Sequence, residues 1–148
     1  MALARESSAG YLTNWAARLF ARAVDRRLKA LGVSSGHLPV FFALGDGGAL
    51  PQKALAQAAA IEQPTMAATL SRMERDGLVG RRPDPADGRG ALFSLTPAAM
   101  KKARAVQRAI AAVNADALRG LKAEDAEVFL AMLKTVIASL EASLRDQP

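Results

Sequence analysis

Apolar residues recur at helical spacing near the start of the chain, with charged residues between them, as in a helix that buries one face. Ser7 or Ser8 suits the N-cap of such a helix, and Gly32 suits its end. The pattern predicts a first helix whose apolar positions are Leu12, Trp15, Ala16, Leu19, Ala23 and Leu28.

Two shorter helical segments are predicted next. Ser34 or Ser35 is placed to cap a helix over residues 37–44, where a proline in the first turn is tolerated. A loop of Asp and Gly residues follows, and Pro51 then opens a helix over Gln52–Ala59. The alternation of caps and apolar runs indicates a compact helical region.

A fourth helix follows after a tight turn. Pro64 marks its first turn, and Gly77 ends it after Asp76. Its apolar residues recur at intervals of four and three residues, which predicts an inward face formed by Met66, Leu70 and Met73. Two helices joined by such a turn form a helix-turn-helix.

After the fourth helix, the sequence pattern changes to that of short strands. Residues 78–82 and 91–95 are strand-like, and residues 83–90 between them are rich in Pro, Asp and Gly. Two strands joined in this way form a hairpin with a protruding loop. Placed directly after a helix-turn-helix, the hairpin is typical of a winged helix.

Two long helices complete the predicted fold. Thr96 followed by Pro97 is a helix start, and the helix is expected to continue to about Arg119, before Gly120. A last helix over residues 123–144 carries an apolar stripe of Phe129, Leu133, Val136, Ile137, Leu140 and Leu144. The expected fold is mostly α, a winged helix-turn-helix with flanking dimerisation helices and a two-stranded β wing.

Composition excludes several classes of site. The 148 residues are 51% hydrophobic, which is enough for a sizeable core, and they include one histidine and no cysteine. Disulfides, thiolate metal sites and thiol redox sensing are therefore excluded, and we expect no cofactor. No apolar run approaches the about 20 residues of a membrane span, and the N-terminus lacks an apolar signal core. We expect a cytoplasmic protein.

The net charge of +6 is compatible with a polyanionic partner but does not identify one. Residues 46–95, which contain the predicted winged helix, carry six basic and six acidic side chains. An argument for DNA binding must therefore rest on where the arginines lie.

The polar face of the fourth helix is the first candidate for DNA contact. We expect Thr65, Thr69 and Arg72 to face outward together with Ala68, because they recur opposite the apolar face. Hydroxyl groups near a helix N-terminus suit phosphate or base contacts, and arginine suits phosphate or guanine. The alternative is an ordinary amphipathic helix with a solvated polar face.

The hairpin favours DNA contact. Arg81 and Arg82 leave its first strand, and Arg89 lies in its loop, where Asp87 can pair with it and hold the loop's shape. An arginine on a narrow projection can enter the minor groove of DNA. The alternative is a surface salt bridge worth less than about 1 kcal/mol.

These segments resemble the MarR family of bacterial regulators. The resemblance is carried by Leu55-Ala56-Gln57, by Ile61 to Met66, by Leu70 to Val79, by Arg81 to Arg89 and by Leu95-Thr96-Pro97. It implies a homodimer, built from the N- and C-terminal helices, that places two winged lobes on a pseudo-palindromic double-stranded DNA operator. It also implies three regions: residues 1–32 and 97–148 for dimerisation, and residues 33–96 for DNA binding.

The resemblance implies a set of DNA-contacting residues. Thr65, Thr69 and Arg72 would lie in the major groove, and Asp87 and Arg89 would pair at the wing tip. Ala68 stands where many relatives have arginine, which removes one expected base contact. The full set of candidate DNA-binding residues is Gln63, Pro64, Thr65, Ala68, Thr69, Arg72, Arg75, Arg81, Asp87 and Arg89.

Relatives of this kind are often released from DNA by a small, frequently aromatic, anion. The candidate ligand-binding residues are Trp15, Arg18, His37 and Phe41. The alternative is that the aromatic residues belong to the core, that the histidine is hydrogen-bonded within the fold and that the arginine is solvated.

The sequence thus predicts a DNA-binding transcriptional regulator, most often a repressor, with a possible small-molecule effector. A winged-helix module that binds proteins without specific DNA binding is the alternative, motivated by the neutral middle segment and by Ala68. An enzyme is not expected, because the single histidine has no Ser or Cys partner near it in sequence and no phosphate-binding loop follows a strand.

Overall fold

The computed structural model describes residues 4–146, which fold into six α-helices, three β-strands and three short 3-10 turns. The helices are α1 (Ala9–Leu28), α2 (Leu38–Leu44), α3 (Gln52–Ala59), α4 (Gln63–Arg75), α5 (Pro97–Leu118) and α6 (Ala123–Arg145). The strands are β1 (Ala49–Pro51), β2 (Val79–Asp84) and β3 (Asp87–Leu95). The predicted mostly α fold with a winged hairpin is confirmed.

The sheet has one strand more than the sequence predicted. It is antiparallel with the order β1-β3-β2, so β3 lies in the centre. Leu50 of β1 is paired with Phe93 of β3, far along the chain. A three-residue strand is too short to show an alternating pattern, and its partner is not local in sequence, so β1 was not predicted. The predicted two-stranded wing is confirmed by the pairing of β2 with β3.

The hairpin is also longer than predicted. The loop expected over residues 83–90 is mostly strand, because β2 continues to Asp84 and β3 begins at Asp87. The turn itself consists of Pro85 and Ala86, and the Asp84 carboxylate stabilises it by accepting a hydrogen bond from the Ala86 amide at 2.9 Å. The wing therefore projects as a hydrogen-bonded ribbon rather than as an open loop.

Predicted helix ends are confirmed by their caps. The hydroxyl of Ser8 accepts a hydrogen bond from the amide of Tyr11 at 3.2 Å at the start of α1. Thr96 does the same for Ala99 at the start of α5, also at 3.2 Å. Gly77 ends α4 with a φ of +72°, a conformation that favours glycine.

The chain divides into two compact units, one up to Ala111 and one from Ala112 onward. The first unit contains an apolar core to which helices α1 to α5 and the wing contribute. Its largest fully buried side chains are Leu28, Val40, Leu44, Leu55, Met66, Leu70, Met73 and Val79. The predicted division at residues 32 and 96 stays a prediction.

The second unit contains α6, none of whose residues is buried. Its apolar side chains are exposed, among them Val128, Phe129, Leu130, Met132, Val136, Ile137, Leu140 and Leu144. Within residues 4–146, none of the helices combines the length and the hydropathy needed to cross a membrane.

Candidate nucleic-acid interface

Helix α4 separates its residues onto two faces. The predicted inward face is confirmed, since Met66, Leu70 and Met73 are at most 1% exposed. The exposed residues on the rest of the helix include Gln63, Pro64, Thr65, Ala68, Arg72 and Arg75. The burial of the three apolar residues against the core fixes which side of α4 is presented to a partner.

Thr69 does not lie on the exposed side. The expectation that it faces outward with Thr65 and Arg72 is wrong, because Thr69 is only 6% exposed. Its hydroxyl donates a hydrogen bond of 3.0 Å to the main-chain oxygen of Thr65, one turn earlier. Threonine tolerates burial here because that carbonyl satisfies its only polar group.

The exposed residues of α4 differ in how far they are engaged by neighbours. Gln63 is held by the side-chain amide of Gln52, which donates to its main-chain and side-chain oxygens at 3.4 Å. Arg75 pairs with Asp76 at 3.3 Å. Arg72 forms no ion pair among the described residues, so its guanidinium remains available to an external anion.

The N-terminus of α4 is open. Its N-cap residue is Glu62, whose side chain forms no capping hydrogen bond, and Pro64 in the first turn has no amide hydrogen. The amide of Thr65 therefore points out of the helix end without a capping group. Such an end, with its positive dipole, favours phosphate.

The wing places Arg89 at its most irregular point. The pairing of β2 with β3 passes from Pro83–Ala91 directly to Asp84–Asp87. Three residues of β3, which are Gly88, Arg89 and Gly90, therefore lie opposite no residue of β2. This bulge projects the arginine from the ribbon.

Asp87 holds the bulge through the main chain. Its carboxylate Oδ1 accepts a hydrogen bond from the Arg89 amide at 3.0 Å. Both residues lie in the described part of the chain, and no ion pair joins their side chains. The expected side-chain pair is thus absent, and Asp87 holds the main chain of Arg89 instead, which leaves the Arg89 guanidinium exposed.

Arg81 is engaged by α4. Its Nε and Nη2 each donate a hydrogen bond of 2.7 Å to one oxygen of the Glu74 carboxylate. Its guanidinium carbon lies 5.6 Å from the centroid of the Phe93 ring. The hydrogen bonds from Arg81 lower the pKa of Glu74, and Glu74 in turn raises the pKa of Arg81. Glu74 was not singled out from the sequence, where nothing distinguishes it from a solvated helix residue.

Comparison with known proteins identifies the family. A profile of the MarR family matches residues 31–90. The chain is 31% identical over 116 residues to the HTH-type transcriptional regulator YwoH of Bacillus subtilis, covering 78% of this chain and 84% of the relative. This chain belongs to the MarR family of transcriptional regulators.

Solved structures of other regulators agree with this MarR-family fold. PcaV of Streptomyces coelicolor, solved with its natural ligand, superposes with a TM-score of 0.81 at 25% identity, over 95% of this chain and 99% of PcaV. MepR of S. aureus, solved as a DNA complex, gives a TM-score of 0.78 at 25% identity, over 90% and 98% of the two chains.

The candidate effector residues of this MarR-family chain are not brought together in the pocket that the structure contains beside Phe41. A pocket of about 420 Å³ in the first unit is lined by Phe41 but not by Trp15, Arg18 or His37. Trp15 is 46% exposed and contacts Tyr11 edge-on, with ring centroids 6.1 Å apart. Of the four candidates, the pocket thus includes one.

His37 has a role within the fold. Its Nδ1 accepts a hydrogen bond of 3.2 Å from the Ser34 amide, which requires the neutral ring. Burial lowers the pKa of His37, and Arg72 lowers it further, whereas Asp76 and Asp25 raise it. This matches the hydrogen-bonded alternative that the sequence left open.

The remaining pocket residues were missed from the sequence. The pocket lies between the end of α2 and the first half of α5, and its polar groups include Asp46, Arg104 and Gln107. Among the pocket residues, Phe42 is 72% exposed and forms an open apolar wall. The sequence does not show that this phenylalanine is exposed, so it gave no sign of the pocket. Within residues 4–146, no cluster of His, Cys, Asp or Glu side chains suits a metal ion.

Proposed function

We propose that this protein is a sequence-specific DNA-binding repressor that acts as a homodimer on a pseudo-palindromic operator. The observation that carries the proposal is the pairing of an open, exposed α4 N-terminus with an unpaired arginine on the adjacent wing. Both features belong to the first unit, and both present groups suited to a polyanion.

Helix α4 supplies the proposed major-groove contacts. Thr65 and Arg72 are exposed on one side of a helix whose other side is anchored in the core. An arginine that donates two bonds to guanine discriminates against other bases by about 1–3 kcal/mol. Gln63, Pro64, Ala68 and Arg75 border these residues, whereas the buried Thr69 acts by orienting the helix turn.

The wing supplies the proposed minor-groove contact. Arg89 projects from a bulge and has no ion-pair partner among the described residues. The minor groove of A·T-rich DNA concentrates negative potential, which attracts an arginine of this kind. Because a wing contact of this type reads groove shape, it adds affinity and orientation to the base contacts of α4.

The homodimer is supported by two apolar surfaces that the single chain leaves open. Helix α1 exposes Tyr11, Leu12, Trp15, Leu19 and Phe20, and α6 exposes the apolar residues named above. Groups of large apolar side chains exposed on one helix mark interaction sites. A two-fold dimer presents two copies of α4, so a palindromic site with half-sites about one helical turn apart is expected.

The pocket beside Phe41 supports a small-molecule effector. Apolar walls with one arginine, Arg104, suit an aromatic acid, which would be held by its ring and by its carboxylate. Relatives solved with DNA and with a natural ligand support both parts of the proposal. A ligand here would act by favouring a dimer geometry that does not fit the operator.

Selection of bound fragments from the protein's own genomic DNA tests the proposal. We expect recovery of a preferred, roughly palindromic site, with a Kd in the nanomolar range that weakens steeply with salt. Adding aromatic acids to a parallel selection tests the effector. If low-salt selection recovers no preferred fragment, specific DNA binding is excluded.

Substitution of Arg89 distinguishes DNA reading from a protein-binding module. Arg89→Ala should weaken operator binding about tenfold or more, through loss of a charge-assisted contact. Lys134→Ala on α6 removes one positive charge from a residue that is not part of the candidate interface, and it should leave binding unchanged. Normal operator binding by Arg89→Ala would contradict the wing contact and favour the protein-binding alternative.

A further inference from the structure

The two consecutive arginines of β2 lie on opposite faces of the wing. Val79 faces the core and is 2% exposed, and side chains alternate along a strand, so Arg81 shares its face. Arg81 is directly opposite Phe93 in the antiparallel pairing, and Phe93 is only 6% exposed. Arg82 points to the other face and forms no ion pair among the described residues.

The described contacts of Arg81 are made to α4 and β3, and its side chain stays about half exposed. Its two hydrogen bonds to Glu74 use both carboxylate oxygens, which is the strong parallel geometry of an arginine-carboxylate pair. Its guanidinium also lies over the Phe93 ring at 5.6 Å, within the range of a cation–π contact. We call these three residues, Glu74, Arg81 and Phe93, the wing clasp.

The wing clasp acts where the main chain does not hold the wing. The root of the hairpin is fixed by Thr96, whose hydroxyl and amide donate to the main-chain oxygens of Gly77 at 2.6 Å and Leu78 at 3.0 Å. Beyond that root, the Glu74–Arg81 bonds are the side-chain hydrogen bonds that join α4 to the ribbon within residues 4–146. The clasp therefore restrains the angle between the ribbon and α4.

We propose that Arg81 is a positioning residue rather than a DNA contact, and that the wing clasp holds the wing at the angle at which Arg89 and α4 reach one DNA duplex together. This inference rests on the proposed function. If the angle varies, only part of the population is competent, and the observed affinity falls by that fraction.

The substitution Glu74→Ala distinguishes the two possible roles of Arg81, as a positioning residue or as a direct DNA contact. A carboxylate repels phosphate, and both carboxylate oxygens of Glu74 already accept hydrogen bonds from Arg81, so removal of Glu74 is expected to weaken DNA binding by releasing Arg81 and the wing. If Arg81 instead contacts DNA directly, removal of Glu74 frees its guanidinium and deletes an anion near the DNA. Binding would then stay equal or become tighter. Alanine also favours helix, so α4 itself is not weakened.

The experiment measures the Kd of a duplex of about 30 base pairs, recovered by selection on the wild-type protein, which spans two half-sites. We expect Glu74→Ala and Arg81→Ala each to weaken binding by roughly threefold to thirtyfold, which is the scale of an exposed ion pair with a cation–π contact. The double variant should bind DNA no more weakly than whichever single variant binds more weakly. Arg82→Ala removes the same charge from the next residue, on the opposite face of the wing, and is the matched control for the hydrogen-exchange measurement.

Hydrogen exchange at the β2 and β3 amides provides a readout that needs no DNA. Exchange should be faster in both clasp variants and unchanged in Arg82→Ala. Unchanged or tighter DNA binding by Glu74→Ala, or unchanged exchange in both clasp variants, would overturn the clasp. If the wild-type protein selects no duplex, the proposed function fails on its own, and the exchange rates alone decide whether the clasp orders the wing.

Discussion

At the scale of single residues, the most informative side chains are those whose polar groups have one specific partner. His37 is such a case, because its Nδ1 accepts the Ser34 amide and is thereby restricted to the neutral ring. Asp87 is another, because its carboxylate holds the Arg89 amide in the wing bulge. Protonation of His37 would break its hydrogen bond with the Ser34 amide, and a shift of the Asp87 carboxylate would release the Arg89 amide.

The His37 contact predicts a pH dependence of stability. Burial lowers the pKa of His37 below its ordinary value of 6.5, so the unfolded chain binds this proton more readily than the folded one. The stabilisation is therefore present above about pH 6.5 and is lost as pH falls through the lower pKa of the folded state. Between about pH 7.5 and pH 5.5 the Tm should therefore fall, and the decrease should be small because the ring is partly exposed.

His37→Asn separates this effect from the titration of other groups. The Asn side-chain oxygen can accept the Ser34 amide but does not titrate in this range. The variant should therefore show a smaller decrease in Tm over the same pH interval, as measured by calorimetry. An equal decrease in both proteins would show that His37 is not the responsible group.

The wing bulge predicts different effects for its two glycines. A Cβ on Gly90 would lie 3.1 Å from Oδ2 of Asp87, so in Gly90→Ala the carboxylate must shift by a few tenths of an ångström, which strains its hydrogen bond to the Arg89 amide. Operator binding should weaken roughly two- to fivefold, the value of one hydrogen bond of about 0.5–1 kcal/mol. A Cβ on Gly88 meets nothing within 4 Å, so Gly88→Ala is the control. Equal binding by both variants would argue against a role for the Asp87 contact.

At the scale of elements, the turn between α3 and α4 determines how the helix-turn-helix is set. Ala60 occupies this turn with a φ of +52°, a left-handed conformation that is unfavourable for a residue with a Cβ. Its amide donates to Gln57 at 3.2 Å, and the Ile61 amide donates to Ala56 at 3.0 Å, which closes α3. The turn thus carries some strain so that α4 can leave in the required direction.

Glycine at this turn should therefore stabilise the protein. Ala60→Gly removes the strain, and we expect a gain of about 0.5–1 kcal/mol in the free energy of unfolding. Ala58→Gly is the same change within α3 and should cost about 1 kcal/mol, because glycine is unfavourable inside a helix. Urea denaturation of the two variants should give shifts of opposite sign, and shifts of the same sign would contradict the role of Ala60.

At the scale of the whole molecule, the dominant feature is the apolar surface that one chain leaves uncovered. Helix α6 buries none of its residues, although its apolar side chains cover a wide arc of the helix. Leaving so much apolar surface in water is unfavourable by about 25 cal/mol per Å². A second chain is the partner that a two-fold symmetric assembly would supply.

Charge introduced on this surface should separate the dimer. Light scattering of the unmodified protein should give twice the chain mass of 15.6 kDa. Ile137→Glu combined with Leu140→Glu should shift the protein to monomer and greatly weaken operator binding, because burial of an unpaired carboxylate is costly. Lys134→Glu alters charge on the same helix outside the apolar arc and should leave the dimer intact. A monomeric wild-type protein at micromolar concentration would contradict the prediction.

The sequence by itself determined the order of helices, most of their ends and the inward face of α4. These depend on signals within a few residues: a capping hydroxyl at Ser8 or Thr96, a glycine at Gly77, and apolar residues at Met66, Leu70 and Met73. The family was also predictable, because its motifs lie within one continuous stretch.

Only the tertiary structure decided which polar groups of the candidate site are available. The pairing of β1 with β3, the burial of Thr69, the clasp of Arg81 by Glu74 and the pocket beside Phe41 each join elements or depend on packing. A local pattern assigns a residue to a face of its own element but does not specify what packs against that face. For this reason the arginines of the wing were recognised from the sequence, whereas the pairing of Arg81 with Glu74 and the absence of an ion pair at Arg89 among the described residues came from the fold. The proposed division between a positioning residue and a DNA contact rests on that difference.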